Sequence, residues 1–344
     1  VRIFTKLMFN FSWWLNRKDS DGSNLFEGGF LGMDNISVFD RSRDVPQGWR
    51  LEQSDATSWM AFTSLSMLRI ALELSREDQA FDGLATTCLE HFLSVAEAME
   101  TFGTDDVSLW DEADGFFYDV LVGPDGHSEP VRLRSLVGLL PLIAVAHAPD
   151  WITRELPDFV ARLRWLQRQR PDLTDALVTT RAEGQVVTSL APLTAARAQA
   201  LMARLFDEGE FLGPHGIRSL SAAYRGGVTL DVAGVSMSVA YDPGESTTNL
   251  FGGNSNWRGP VWFPINVLLI DGLRGHARAA GGSAEVEYPT GSGRTRGLGE
   301  VADDLEQRLV SLFRPGADGR RPGTPRDHPS GPLWDVHVTF AEYF

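Results

Sequence analysis

The sequence predicts an all-α fold, a toroid of antiparallel helix pairs, with a small irregular or β segment over 207–256. Three observations carry this. Segments apolar on more than one face alternate with segments apolar on one face only, the pattern expected of inner and outer helices. Long loops between them hold the aromatic and acidic residues. Few strands are predicted and no βαβ rhythm, which excludes a parallel α/β sheet, and no short-period repeat indicates a solenoid.

Taken in order, Ile3 to Arg17 places Phe4, Leu7, Met8, Phe11, Trp14 and Leu15 at helical spacing. The stretch Asn24 to Arg41, NLFEGGFLGMDNISVFDR, is a glycine-rich loop carrying Asp34 among phenylalanines. It reads either as a loop folded into a pocket or as a buried connector whose carboxylates cap the next helix. Ser54-Asp55 is expected to cap a helix running to about Leu74, apolar on several faces (Trp59, Phe62, Leu65, Leu68, Leu72). Gln79 to Met99 has a one-sided stripe that includes Cys88. A loop from Thr101 to His127 contains a short hairpin around Gly115 to Val120. Val131 to His147 is expected to be an inner helix kinked at Pro141, and Trp151 to Arg170 an amphipathic outer one.

Thr174 to Pro192 is less regular, and Leu193 to Phe206 is helical. VTLDVAGVSMSVAYDPGES suggests a small sheet or extended lid. Gly259 to Leu273 is expected to be a helix with Pro260 in its first turn. Gly281 to Gly297 is Gly/Ser-rich and expected to be exposed, and Leu298 to Phe313 is an amphipathic helix.

The 344 residues are 43% hydrophobic with ten tryptophans, enough for a sizeable core. A net charge of −15 argues against nucleic acid or an anionic membrane as partner. One cysteine, Cys88, excludes an internal disulfide framework and a Cys-based zinc site. No apolar run reaches membrane-spanning length and no signal peptide opens the chain, so a cytoplasmic location is expected. Both ends lack the polar character of natural termini, so a domain truncated at both ends is expected.

Phosphate-loop, H-E-x-x-H and G-x-S-x-G patterns are absent. The histidines form no ligand-spaced pair, and His91 and His147 read as structural. What remains is carboxylates in aromatic, glycine-rich loops: Asp34, Glu245 in YDPGESTTNLFGGNSNWRGPVW, and Glu342 in TFAEYF. Asn254, Asn256, Trp257, Arg258 and Trp262 share the middle stretch. Tryptophan faces stack on sugar rings, Asn, Arg and Asp bind hydroxyls, and paired carboxylates supply an acid and a base for splitting a glycosidic bond. The other reading of WRGPVW is a helix start whose tryptophans fill the core.

GMDN, SDATSWM, DEADGFFYD, GIRSLS, NSNWRGPVWFPIN and FAEYF occur in this order over nearly the whole chain. Together they resemble the catalytic domain of glycoside hydrolase family 63, in its bacterial branch near mannosylglycerate hydrolase. The resemblance implies an (α/α)6 barrel over 1–344 that hydrolyses an α-glucoside or α-mannoside with inversion, without metal or cofactor. It makes Asp34, in the G-[LM]-D-[DN] loop, the general acid. Glu342, in the F-x-E-[HQY]-[YF] segment, becomes the general base, with Glu245 as the rival base. An inverting pair needs its carboxyls roughly 6.5–9.5 Å apart, and the acid's pKa must be raised, as desolvation by neighbouring phenylalanines would do.

On the substrate side the resemblance marks Trp257 and Arg258 first, with Trp262 and Asn256 in the same motif. Gly32 and Asn35 flank the acid. Asp55 and Trp59 either face the cavity or cap and pack. Arg218 and Ser219 are expected at the rim, while Glu27, Asp40 and Arg41 fix the acid loop. The family's barrel has twelve helices against about seven or eight here, so parts of a longer chain are expected to complete the barrel, and weak or no activity is expected of this chain alone. A non-catalytic carbohydrate-binding module of the same architecture is the alternative.

Overall fold

Residues 1–16, 26, 33, 36–41, 44–100, 108–170, 177–182, 185–244, 256–322, 324 and 340–344 are described by the computed structural model. They form a helix-rich assembly with small antiparallel sheets. Helix α1 (Arg2–Leu15) buries Phe4 and Phe11, two turns apart, and leaves Ile3, Phe9 and Trp13 exposed. Strand β1 (Arg50–Glu52) leads into α2 (Ser54–Ser75), whose first turns are buried on all sides. Its N-cap is Gln53, without a side-chain cap. Ser54 and Asp55, expected to cap, are instead the first helical residues. A short 3-10 turn, capped where the Asp78 carboxylate accepts the Ala80 N–H at 2.9 Å, leads into α3 (Asp82–Glu100). Its stripe of Cys88, Phe92 and Val95 packs with α2, and burial pushes the Cys88 thiol up to about 12, as for a small hydrophobe.

The expected hairpin forms from β2 (Trp110–Asp111) and β3 (Phe116–Phe117). β4 (Asp119–Val122) and β5 (Ser128–Val131) add to β1 as an antiparallel sheet in the order β1-β4-β5. Val131 to His147 is not an inner α-helix. Its centre, Leu136–Ile143, is a buried 3-10 segment, followed by β6 (Ala146–Ala148). Pro141 has no N–H to offer an α-helical ladder. Gly138 brings the backbone so close to β3 that a Cβ there would stand 2.2 Å from the Phe117 carbonyl oxygen.

The predicted outer helix divides into α4 (Ile152–Glu155) and α5 (Pro157–Gln169), because Pro157 disfavours helix at Leu156 and suits a first turn. The irregular stretch that follows contains β7 (Leu177–Ala182) and β8 (Gln185–Leu190), paired in the order β6-β8-β7. Helix α6 (Ala195–Leu205) is capped by Thr194. Within 207–256 the expected β segment is two hairpins, β9 (Leu212–Gly213) with β10 (Gly216–Ile217), and β11 (Val228–Val232) with β12 (Val235–Val239). Ala233 and Gly234 both have positive φ (50° and 72°), as a two-residue primed turn requires.

Helix α7 (Phe263–Ala279) starts at Phe263 with Pro264 in its first turn, whereas Pro260 lies before it, outside the helix. The Gly/Ser-rich stretch after it is a hairpin, β13 (Glu285–Glu287) with β14 (Thr295–Gly297), that buries Tyr288. Helix α8 (Leu298–Ser311) packs its Val301, Leu305 and Leu309 stripe with α7.

Packing joins α1, α2, α3 and α5 on one side and α7 with α8 on the other, and the 3-10 segment touches both α2 and α7. Among the described residues the helices do not close into a ring. None of them is long and apolar enough to cross a membrane.

Candidate functional site

Two segments far apart in sequence meet at the start of α7. Val261 and Phe344 exchange both backbone hydrogen bonds (2.8 and 2.9 Å), and the Phe263 N–H donates to the Glu342 carbonyl at 3.0 Å. On the other side of the same segment, Ser219 N–H donates to the Pro260 carbonyl at 3.1 Å, and Arg218 bridges Val261. The WRGP turn needs its glycine: Gly259 has φ +132°, and a Cβ there would lie 2.4 Å from the Tyr241 ring. The backbone therefore places Glu342, Trp262 and Arg218 on three adjacent strand-like segments.

Above this lattice Trp257 and Trp262 stack face to face, with centroids 3.6 Å apart and planes 2° from parallel, and Tyr343 tilts onto Trp262 at 4.9 Å. Trp262 Nε1 donates to the Asn256 carbonyl at 2.9 Å. Trp257 Nε1 is buried and finds no acceptor among the described residues, and the same holds for Trp59 Nε1 in the second turn of α2. A buried N–H without an acceptor costs about 1–3 kcal/mol. Glu342 is exposed, and its carboxylate makes no hydrogen bond or ion pair with a described residue.

Several expected substrate residues turn out to hold backbone. Arg218 is buried, and its Nη1 donates to the carbonyls of Glu208, Glu210 and Leu212 at 2.8–3.1 Å. Asn256 donates to the carbonyls of Asp242 and Gly244 (2.9 and 2.5 Å) and accepts the Arg258 N–H at 2.9 Å. Ser219 Oγ donates to the Trp257 carbonyl at 3.0 Å and accepts the Gly259 N–H at 2.9 Å. Arg258 is buried beside Asn256 Oδ1 and 3.8 Å from Asp242. Asp34, Gly32, Asn35, Glu245 and Asn254 lie outside the described residues.

Asp55 faces Arg41 rather than an open cavity. Arg41 donates from Nη1 to Asp55 and Asp119 (2.8 Å each), and from Nη2 to Asp55 at 2.5 Å and to the Met33 carbonyl at 2.8 Å. Asp119 also accepts the Ser54 N–H at 2.9 Å. All three charged side chains are at most 5% exposed. Burial disfavours the guanidinium's charge, but Asp55 and Asp119 more than offset this and raise its pKa. Burial likewise raises Asp119, Asp55 adds to the effect, and Arg41 offsets only part of it.

A second polar cluster has no signature in the sequence. Glu210, also buried, accepts from Arg134 and Arg204 (2.9 Å each) and from Ser221 Oγ at 2.7 Å, while Tyr118 donates to Asp114 at 2.6 Å. Its members lie up to about a hundred positions apart, and no spacing rule links them. Among the described residues no group of three or more His, Cys, Asp or Glu side chains could hold a metal.

A cleft of about 800 Å³ lies between the C-terminal halves of α2 and α7 and β6, lined by Arg69, Glu73, His147, Trp151, Asp271 and Arg278 among others. From Phe263 to Gly275, α7 rises about 18 Å, so this cleft is far from the tryptophan stack. Its charges are mixed, and Glu73 is already paired with Arg76. Glu342 and the stacked tryptophans sit at the other end, which makes that end the candidate site.

No protein-family model matches the chain. It is 42% identical over 361 aligned positions to YMR196W, an uncharacterized protein of Saccharomyces cerevisiae. That alignment takes in 100% of this chain and 33% of the yeast protein, so the chain spans about a third of the relative's length. Among solved structures it is similar to the glycoside hydrolase family 63 mannosylglycerate hydrolase of Thermus thermophilus in complex with glucose. The identity is 16%, the superposition covers 91% of this chain and 60% of that one, and the TM-score is 0.40, too loose to transfer any residue or role.

Proposed function

We propose that the chain is an inverting α-glycoside hydrolase acting on a glucoside or mannoside, with Asp34 as general acid and Glu342 as general base. In this reading residues 1–344 form one catalytic domain of (α/α)6 type. The observation that carries it is the backbone pairing that sets Glu342 beside the Trp257–Trp262 stack, with its carboxylate engaging no described residue. Met33, bonded directly to Asp34, is buried in the same core cluster as both tryptophans.

The chemistry consumes one water. The Asp34 carboxyl gives its proton to the glycosidic oxygen as the bond to the anomeric carbon breaks. Glu342 takes a proton from a water that attacks the opposite face, so the α-glycoside yields a β-hemiacetal and an alcohol. The indole N–H groups of Trp257 and Trp59 suit sugar hydroxyls, and Asn256, Arg258, Ser219 and Arg218 hold the backbone that positions the stack.

The test is a screen of aryl α-glycosides and short α-linked disaccharides, read by proton NMR of the first anomer released. Turnover giving the β-anomer, abolished by Asp34→Asn and by Glu342→Gln with binding retained, supports the reading. Full turnover in Glu342→Gln and its loss in Glu245→Gln would move the base to Glu245. One observation favours the other reading, a carbohydrate-binding module without turnover: Glu342 is exposed, whereas an enclosed base is easier to protect from competing water. Saturable sugar binding with no hydrolysis by the full-length protein would establish that reading.

A further inference from the structure

Three of the sequence segments quoted above converge on one buried guanidinium. Arg41 holds Asp55 at the start of α2 and Asp119 at the start of β4, and its Nη2 donates to the Met33 carbonyl at 2.8 Å. The carbon of that carbonyl is bonded to the nitrogen of Asp34. The Met33 carbonyl is thereby tied to a helix and a sheet at once. Nη2 also contacts Asp55 at 2.5 Å, so the guanidinium cannot swing without breaking a bidentate pair. Asp119 in turn fixes the Ser54 N–H at 2.9 Å, which locks the helix start against the sheet.

We infer that Arg41, held by Asp55 and Asp119, is a positioning residue that sets the peptide carrying the general acid. The inference rests on the hydrolase reading and adds to it a defined role for three residues that do not touch the sugar. That role requires a planar fork, which spans two carboxylates and a carbonyl together; an ammonium does so with poorer geometry. Small displacements matter because proton transfer to a leaving oxygen requires hydrogen-bond reach.

The readout is leaving-group dependence. Departure of 2,4-dinitrophenolate needs little help from an acid, whereas departure of an alkoxide requires a proton. Wild type, Arg41→Lys, Asp119→Asn and Asp34→Asn are compared in the full-length protein on a dinitrophenyl and an alkyl α-glycoside of the same sugar. Arg41→Lys is expected to lower kcat on the alkyl glycoside by about 30-fold or more, a part of the roughly 10²–10⁴-fold that a general acid supplies. On the dinitrophenyl glycoside it should change kcat less than about threefold, with KM unchanged on both. Asp119→Asn follows the same pattern more weakly, and it decides the matter if Arg41→Lys does not fold.

Equal losses on the two substrates would mark a merely structural residue and overturn the inference, as would wild-type rates on both. Asp34→Asn separates the two levels. If that variant turns over the alkyl glycoside normally, the hydrolase reading itself fails and the inference falls with it. If it shows a large alkyl-selective loss while Arg41→Lys and Asp119→Asn do not, only the inference fails.

Discussion

Replacing Arg41 by methionine should be among the most destabilising single changes in the chain. The guanidinium is 1% exposed, as is Asp55, and Asp119 is 5% exposed. Removing it leaves two buried carboxylates without their cation and the Met33 carbonyl without a donor. Breaking a buried ion pair from one side costs about 3–5 kcal/mol. With an unfolding entropy of about 2.1 cal/mol/K per residue, a 344-residue chain converts this to a Tm lower by roughly 4–7 °C. Asp119→Asn should cost less, because the guanidinium keeps its bidentate pair with Asp55. The sign with pH follows. Once Arg41 is gone, the folded pKa of Asp119, already raised, climbs further above its unfolded value, so stability is lost as pH rises through that range and regained in acid. The deficit of Arg41→Met relative to wild type should therefore narrow as pH falls from 7 toward 4. Urea unfolding followed by tryptophan fluorescence at several pH values measures all of this. A loss below about 1 kcal/mol, or an Asp119→Asn variant as damaged as Arg41→Met, would refute the reasoning.

Three further outcomes are expected. Burial, abetted by His147 and only partly opposed by the Leu142 carbonyl at 3.2 Å, depresses His276 to about 4. The unfolded chain then binds the extra proton, so stability is lost as pH falls from about 6.5 toward 4, by up to about 3 kcal/mol. The ring keeps some exposed surface, which makes that an upper bound, and His276→Gln should flatten this part of the pH profile of urea midpoints. Gly138→Ala would set a Cβ 2.2 Å from both a Phe116 ring carbon and the Phe117 carbonyl oxygen. The cost should be about 3 kcal/mol or more, read as a lowered thermal midpoint, and a midpoint within a degree of wild type would contradict the close packing. Asn266 accepts the Ile217 N–H at 2.6 Å and donates to the Ile217 carbonyl at 3.0 Å, so Asn266→Leu strands both buried groups and should cost about 2–4 kcal/mol in urea unfolding.

The legible part of the fold is the part where burial is one-sided. In α3, α6 and α8 a stripe of apolar residues at helical spacing is bounded by polar ones, and the period itself reports the conformation. Val131 to His147 carries no such period, because every residue of Leu136–Ile143 is buried. An all-apolar run fits helix, 3-10 turn and strand alike, and the choice falls to contacts that only the folded chain makes, Gly138 on β3 above all. The 177–190 strands escape a reading by periodicity for a related reason. They pair with each other as a hairpin, and β8 is joined to the sheet through β6, a partner some forty positions away.

At the candidate site the expected residues that are described can be sorted by what their side chains engage. Asp55, Arg218 and Asn256, expected on the substrate side or at its rim, are each engaged in fixing backbone or a buried charge. A motif that travels with a catalytic family contains both kinds of residue, and sequence cannot separate them because both demand the same side chain. The structure separates them by partners. A side chain whose shown polar contacts all lie inside the protein has a structural role that would survive the loss of catalysis. The motifs alone are therefore compatible with a hydrolase and with a binding module that kept the scaffold. Glu342 is different in kind: its backbone is pinned beside the tryptophans while its carboxylate engages no described residue. A carboxylate on a pinned backbone that engages no described residue is the group on which the choice between enzyme and binding module turns, and Glu342→Gln addresses it directly.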